Sequence, residues 1–123
     1  MADICIKRIY EAAEPDDGFR VLVDRLWPRG ISKSRAALAD WWKDIAPSPE
    51  LRTWFGHKAE HFAEFAEKYR VELSTGTAGP MHMVTVAEHL KAGENITLLY
   101  GAKDPEINHA RVLREWMYEM MDK

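Results

Sequence analysis

Three short apolar runs predict the strands of this chain. Residues 4–10 and 19–25 are rich in β-branched side chains, and residues 94–101 repeat the pattern. In the second run Val21, Leu22 and Val23 are consecutive. Such a run is typical of a strand that is buried on both faces, as in an α/β sheet.

Helical periodicity fills most of the chain between the second and third strands. A short helix is predicted over residues 36–42, followed by a helix that begins at Ser48 and Pro49 and ends near Gly56. Aromatic residues at core-facing spacing predict a further helix over about residues 58–73.

Two more helices follow, and the order of elements predicts the fold class. Pro80 opens a helix that ends before Gly93, and Asp104, followed by a proline, predicts the start of a long C-terminal helix. We therefore expect a single α/β domain over residues 1–123, with a short, mainly parallel sheet flanked by helices. On length alone, the eight-residue link between the first two strands favours an antiparallel hairpin, because parallel crossovers usually need about a dozen residues.

Composition narrows the class of protein. The chain is 46% apolar and 30% charged, which is ordinary for a globular domain. No apolar run approaches the roughly 20 residues of a membrane span, and the N-terminus lacks a secretory pattern. A single cysteine, Cys5, excludes an internal disulfide framework and predicts a cytoplasmic protein. We expect a monomer or a homodimer.

Charge is distributed unevenly along the chain. The net charge is −3, yet residues 20–35 carry +4 and the remaining residues carry −7. An acidic protein binds nucleic acid and anionic membranes poorly. A local basic segment on such a protein favours a discrete small anion as its partner.

Charged side chains crowd the end of the second strand, where Asp24 and Arg25 are followed by Trp27 and Arg29. The planar guanidinium of arginine matches the oxygens of a carboxylate or phosphate. In this hypothesis Asp24 holds Arg25, both arginines bind the anion and Trp27 forms an apolar wall. The alternative is a structural Asp–Arg pair with the tryptophan in the core.

A second group of polar side chains follows the third strand. In open α/β sheets ligands collect beyond the carboxyl ends of the strands, close to helix N-termini. Tyr100 and Asn108 would orient the ligand there, and His109 is the candidate acid or base because imidazole exchanges protons near neutral pH. The alternative is a capped helix with a hydrogen-bonded surface histidine.

Other motifs are weaker. His57 and His61 have the i, i+4 spacing of metal ligands, but nothing designates further ligands, so we expect no metal site. Cys5 lies inside a strand rather than beside a base, which disfavours a nucleophilic role. The chain contains no glycine-rich nucleotide motif, and its composition and motifs identify no cofactor.

One segment, Asp-Arg-Leu-Trp-Pro-Arg-Gly at residues 24–30, is distinctive enough to compare with known families. The other matching segments are residues 6–10, 17–23, 46–48, 51–52, 97–100 and 108–110. Together they extend the match, in order, along almost the whole chain. By these segments the chain resembles the YeaO-like branch of the DUF488 family. The resemblance implies a fold and a site position, and it implies no particular reaction.

The resemblance also bears on the sheet and on the site. Longer members of the family carry a helix between the first two strands, which implies that these strands are parallel. Arg8, Tyr10 and Tyr100 would then gather with Asp24 and Arg25 at one edge of the sheet, where Arg8 adds a further ligand-binding cation. Longer members also tend to have a cysteine at the position of Tyr100 and Cys-His-Arg at positions 108–110. Only the histidine is shared, so thiol chemistry is not implied here.

We therefore expect a cytoplasmic α/β protein that binds a phosphorylated or carboxylated small molecule at the carboxyl edge of its sheet, with or without transforming it. Two other classes of protein stay open. One is a nucleic-acid-associated protein that uses the basic segment and its tryptophan. The other is a protein-interaction module without a small-molecule site, in which Arg25 and Arg29 are engaged by carboxylates of the protein itself.

Overall fold

Four short strands form one parallel sheet. The computed structural model describes residues 2–122 and contains β1 (Ile4–Arg8), β2 (Phe19–Leu22), β3 (Asp40–Trp41) and β4 (Ile96–Tyr100). The strand order is β1-β4-β2-β3, and every pair is parallel. The parallel arrangement is confirmed and the hairpin is wrong, because β4 lies between β1 and β2.

The register makes the three longer strands end together. Ile4 lies opposite Ile96, Arg8 lies opposite Tyr100, and β2 reaches Leu99 of β4. The segments that leave these strands therefore emerge at one edge of the sheet. This carboxyl edge is where parallel α/β sheets bind their ligands.

Five α-helices within residues 2–122 cover the sheet. They are α1 (Lys33–Ala36), α2 (Pro49–Phe55), α3 (Phe62–Thr75), α4 (Ala78–Lys91) and α5 (His109–Met121). The cap of α2 is confirmed, since the Ser48 hydroxyl accepts a hydrogen bond from the Leu51 amide and Gly56 ends the helix at φ +53°. No helix within residues 2–122 has the length and apolar character needed to cross a membrane.

The short helix predicted over residues 36–42 is wrong. Ala37 adopts a left-handed conformation with φ +48° and ends α1, and Asp40–Trp41 forms the edge strand β3. The Trp42 amide donates to the Leu22 carbonyl at 2.8 Å, which ties this segment to β2. Bulky aromatic side chains suit such a pleated edge better than a helix.

The start predicted for the C-terminal helix is also wrong. The Asp104 carboxylate accepts hydrogen bonds from the Glu106 and Ile107 amides and closes a turn instead. The helix begins at His109, and the Asn108 side chain caps it by accepting from the Arg111 amide at 2.9 Å.

Alternate residues of the strands bury opposite faces of the sheet. Val21, Val23 and Leu98 pack with α2 to α5 in the larger core. Leu22 and Leu99 join a smaller cluster under α1 on the other face. The predicted burial of β2 on both faces is confirmed, since all five side chains are fully buried.

A single turn of 3₁₀-helix at Pro15–Asp17 replaces a crossover helix between β1 and β2. The Asp17 carboxylate is buried there and binds both Lys7 and Arg20. Gly18 follows with φ +66°, and a Cβ at this position would lie 2.3 Å from the Asn95 carbonyl oxygen. The connection can therefore be short, because its backbone packs directly against Asn95, the residue that precedes β4.

Candidate functional site

A cleft of about 590 Å³ opens at the carboxyl edge of the sheet, where β2 and β4 end. It is bordered by the segments that leave these two strands, by α2 with its flanking segments, by Phe65 of α3 and by the start of α5. The residues are Asp24, Arg25, Leu26, Ala46, Pro47, Arg52, Phe55, His57, Phe65, Gly101, Ala102, Lys103, Asp104, Ile107, Asn108 and His109. The volume lies within the range of small-molecule sites.

The structure brings four of the eight predicted site residues to this cleft: Asp24, Arg25, Asn108 and His109. The other four, Arg8, Trp27, Arg29 and Tyr100, do not border it. The two polar groups predicted after β2 and β4 therefore meet in space. Only Asp24 and Arg25 of the first group, and Asn108 and His109 of the second, border the cleft.

His109 is held in one orientation at the back of the cleft. Its Nε2 lies 3.0 Å from the Val23 carbonyl oxygen and 3.1 Å from Oδ1 of Asp24. Because a carbonyl oxygen only accepts, Nε2 carries the proton in the neutral ring. Within residues 2–122 the other nitrogen, Nδ1, makes no hydrogen bond, so it is the nitrogen available to a ligand.

Asp24 joins the two strand ends. Its Oδ2 accepts a hydrogen bond from the Gly101 amide at 2.8 Å, while Oδ1 lies beside His109. The predicted pairing of Asp24 with Arg25 is wrong, because the carboxylate turns toward the segment after β4 instead. Oδ2 therefore fixes the backbone that follows β4, while Oδ1 is buried next to His109 without a hydrogen bond to the rest of residues 2–122.

Arg25 has no carboxylate partner among the described residues. Its Nη2 donates to the Pro47 carbonyl at 3.2 Å and, at 3.4 Å, to that of Ala46. Its Nε is buried and makes no hydrogen bond to the rest of residues 2–122. The positive charge of this guanidinium is therefore oriented by backbone carbonyls and is not neutralised by an ion pair.

Arg8 and Tyr100 support the edge from another side. The Arg8 Nε donates to the Ala102 carbonyl at 2.8 Å, and its guanidinium lies 4.8 Å from the centroid of the Tyr10 ring. Tyr100 is buried in the larger core, and this burial raises the pKa of its phenol. Arg8 therefore fixes the segment after β4, Tyr100 packs in the core, and neither residue borders the cleft.

Trp27 and Arg29 follow the chain away from the cleft. The Trp27 indole donates to the Ile31 carbonyl at 2.7 Å and packs edge-on against Trp41, with ring centroids 5.4 Å apart. The side chain of Arg29 is exposed, and its carbonyl accepts from the Tyr10 hydroxyl. The Pro-Arg-Gly turn separates the two arginines because it redirects the chain to the face that α1 covers.

Several residues of the cleft were missed by the sequence reasoning. Arg52 and Lys103 add two exposed cations to Arg25. Lys103 had a sequence signal, because it lies in the polar stretch that follows β4. Arg52 lay in a segment that carries the family resemblance, but only the packing of α2 against α3 brings it to this edge. No periodicity marked Leu26 or Ile107 as part of a site.

The Asp104 carboxylate and the Asn108 amide are already engaged, whereas Oδ1 of Asp24 is buried without a hydrogen bond to the rest of residues 2–122. The Glu106 and Ile107 amides that donate to Asp104 hold the pKa of its carboxyl below the usual range. Asn108 is almost fully buried, and its amide donates to the Asp104 carbonyl while its oxygen caps α5. The cations and the imidazoles are therefore the polar side chains of the cleft that are free to bind a ligand.

His57 and His61, in the segment between α2 and α3, do not converge. His57 borders the cleft, whereas His61 stacks on Trp54 with ring centroids 4.4 Å apart. Within residues 2–122 there is no group of three or more His, Cys, Asp or Glu side chains arranged to hold a metal ion. Cys5 lies on β1, outside the lining of the cleft, and partial burial raises the pKa of its thiol.

Fold and site together define a small α/β protein with a cleft at the carboxyl edge of a parallel sheet. The chain belongs to the DUF488 family: the family model described as "Inactive DUF488-N3 subclade" matches residues 3–123. The YeaO-like resemblance is thereby confirmed. No solved structure gives a significant match to the chain.

Two relatives illustrate the similarity. The uncharacterized protein YeaO of Escherichia coli (strain K12) is 44% identical over 115 residues, which cover 94% of this chain and 96% of YeaO. The uncharacterized protein Rv3073c of Mycobacterium tuberculosis (strain ATCC 25618 / H37Rv) is 52% identical over 73 residues, which cover 59% of this chain and 62% of that protein.

Proposed function

We propose that this cytoplasmic protein binds a small molecule with a phosphate or carboxylate group in the cleft, and that it does not catalyse a reaction of that molecule. One observation carries the proposal: Arg25 borders the cleft with no carboxylate partner among residues 2–122. Arg52 and Lys103 add positive charge to the same cleft. A guanidinium that is oriented but not neutralised is well suited to bind an anion.

Two observations favour binding over catalysis. Among residues 2–122, no serine, threonine, tyrosine or cysteine side chain borders the cleft, so His109 has no side-chain nucleophile to activate there. The matching family model is itself described as an inactive subclade. In this proposal Arg25, Arg52 and Lys103 bind the anionic group, and the imidazole of His109, held by the Val23 carbonyl, borders the bound ligand.

The surroundings of Arg25 favour this proposal over an interaction module. Such a module would have both arginines engaged by carboxylates and no cavity beside them. Arg25 instead donates to two backbone carbonyls and adjoins an open cleft, and Arg29 is exposed.

A thermal-shift screen of phosphates, nucleotides and carboxylates tests the proposal. A ligand at 100 times its dissociation constant adds about 2.7 kcal/mol to the free energy of unfolding. For a domain of this size we expect the melting temperature to rise by roughly 10 °C. Each hit is then incubated with the protein and analysed by mass spectrometry, and we expect it to be recovered unchanged.

Three variants with the same change of charge assign the hit to the cleft. Arg25→Gln and Arg52→Gln should reduce the ligand-induced shift, measured against the melting temperature of each unliganded variant. Arg29→Gln, in the same basic segment but outside the cleft, should respond like the wild-type protein. The proposal fails if no anion stabilises the protein, or if all three variants respond alike.

A further inference from the structure

We infer that the ligand of the cleft carries its anionic group on an apolar body that has few or no hydroxyl groups. An aryl or medium-chain alkyl carboxylate has this chemistry, and so does the corresponding phosphate monoester. The inference rests on the proposed function and names the class of ligand for the same site.

The first argument is the apolar surface inside the cleft. Ala46, Ala102 and Ile107 line the cleft and are partly exposed. Phe55 and Phe65 also line it, but they belong to the core and are 4% and 1% exposed. A ligand body that covers this surface gains free energy only if it is itself apolar.

The second argument is Leu26 at the border of the cleft. This side chain follows Arg25 directly and is 61% exposed. A single exposed leucine is ordinary on a protein surface. Here, however, the exposed leucine adjoins a free cation and an apolar cleft, so a ligand held by Arg25 would lie beside it.

The third argument is the scarcity of free neutral hydrogen-bonding side chains, which among the described residues of the cleft are the imidazoles of His57 and His109. Among the described residues that line the cleft, Asn108 is the one with an uncharged amide or hydroxyl group, and its amide is buried in the cap of α5. Oδ2 of Asp24 and the Asp104 carboxylate already accept hydrogen bonds from backbone amides, and Oδ1 of Asp24 is buried. A sugar phosphate would lose the hydration of several hydroxyls and regain few side-chain partners, which weakens binding.

The fourth argument is size. The cleft of about 590 Å³ falls within the range of sites that enclose drug-sized molecules. Inorganic phosphate would occupy a small part of it and would leave the apolar side chains Leu26 and Ile107 uncovered. The anion therefore accounts for one end of the ligand.

Isothermal titration calorimetry with matched anions tests the inference on the wild-type protein. The carboxylate arm compares octanoate, below its micellar concentration, with acetate and gluconate. The phosphate arm compares phenyl phosphate with inorganic phosphate and glucose 6-phosphate. We expect the apolar member of at least one arm to bind about tenfold or more tightly than its two partners, since each buried methylene contributes about 0.8 kcal/mol, roughly a fourfold change in affinity.

A pair of exposed apolar residues supplies the control. Leu26→Ser should weaken the binding of the apolar anion about fivefold and leave acetate or inorganic phosphate unchanged. Val84→Ser changes an equally exposed side chain on α4, outside the lining of the cleft, and should have no effect. Equal effects of the two substitutions would refute the inference.

The outcomes separate the inference from the proposed function. If gluconate, glucose 6-phosphate or the simple anion binds as tightly as the apolar anion, and Arg52→Gln weakens that binding, the proposed function stands and the inference is wrong. If none of the six anions binds, both are wrong. If the apolar anion of only one arm binds, that arm identifies the charged group as a carboxylate or a phosphate.

Discussion

Replacing Asp17 with asparagine should destabilise the fold, because this carboxylate joins the two ends of the short β1–β2 connection. Its Oδ1 lies 3.1 Å from Nζ of Lys7, and its Oδ2 accepts hydrogen bonds from Nη1 of Arg20 and, at 3.0 Å, from the Glu14 amide. The substitution keeps the shape of the side chain and removes its charge.

The magnitude follows from burial. The side chains of Lys7, Asp17 and Arg20 are 11%, 10% and 6% exposed. Removing one partner of a buried ion pair costs about 3–5 kcal/mol. Lys7 keeps Glu14 as a partner and Arg20 keeps the Ala36 carbonyl, so we expect somewhat less, about 2–3 kcal/mol. For a chain of 123 residues this lowers the melting temperature by roughly 10 °C.

The effect should depend on pH. Burial by itself would raise the pKa of Asp17, but the Glu14 amide, Lys7 and Arg20 outweigh burial and hold this pKa below its usual value. A carboxyl with a lowered pKa in the folded state stabilises the protein above the unfolded pKa, near 4, and the stabilisation is lost as the pH falls through the folded pKa. The difference between wild type and variant should therefore be largest near pH 6 and shrink below about pH 4.

Circular dichroism melts at pH 6 and at steps down to pH 3 measure both effects. Asp16→Asn is the control, because Asp16 carries the same charge on the same turn and is exposed. The reasoning is refuted if Asp17→Asn melts within about 2 °C of Asp16→Asn at pH 6, or if their difference is unchanged at pH 3.

Three further substitutions test the structure elsewhere. Asn108→Ala removes the cap of α5 and should cost about 1 kcal/mol or more in urea unfolding; an unchanged midpoint would contradict the assigned helix start. Gly18→Ala would place a Cβ 2.3 Å from the Asn95 carbonyl oxygen at φ +66°, so little folded protein should be recovered, and a wild-type circular dichroism melt would disprove the close approach. Tyr69→Phe deletes a buried hydroxyl that donates to the Ile45 carbonyl at 2.8 Å and should lower stability by about 1 kcal/mol, measured by the same urea titration.

Local chemistry explains which elements could be predicted. The strands were predictable because a run of consecutive apolar residues such as Val21, Leu22 and Val23 is compatible with few structures other than a buried strand. Ser48 marked a helix start because its cap is made within the following turn. The apolar spacing of residues 36–42 wrongly indicated a helix, because pairing of the backbone with β2 decides their structure. The length of the link between the first two strands wrongly favoured a hairpin for a similar reason. In the fold, β4 separates β1 from β2, and Asp17 secures the short connection.

The candidate site, like the fold, was predictable only as far as local chemistry determines it. By itself the sequence determined that charged residues follow the buried strands, and it singled out Asp24, Arg25, Asn108 and His109. Only the tertiary structure decided that these four share a cleft and that Arg29 does not, because the direction of a turn depends on which face of the sheet it packs against. The sequence determines the residues that can bind an anion, whereas long-range packing determines which of them meet.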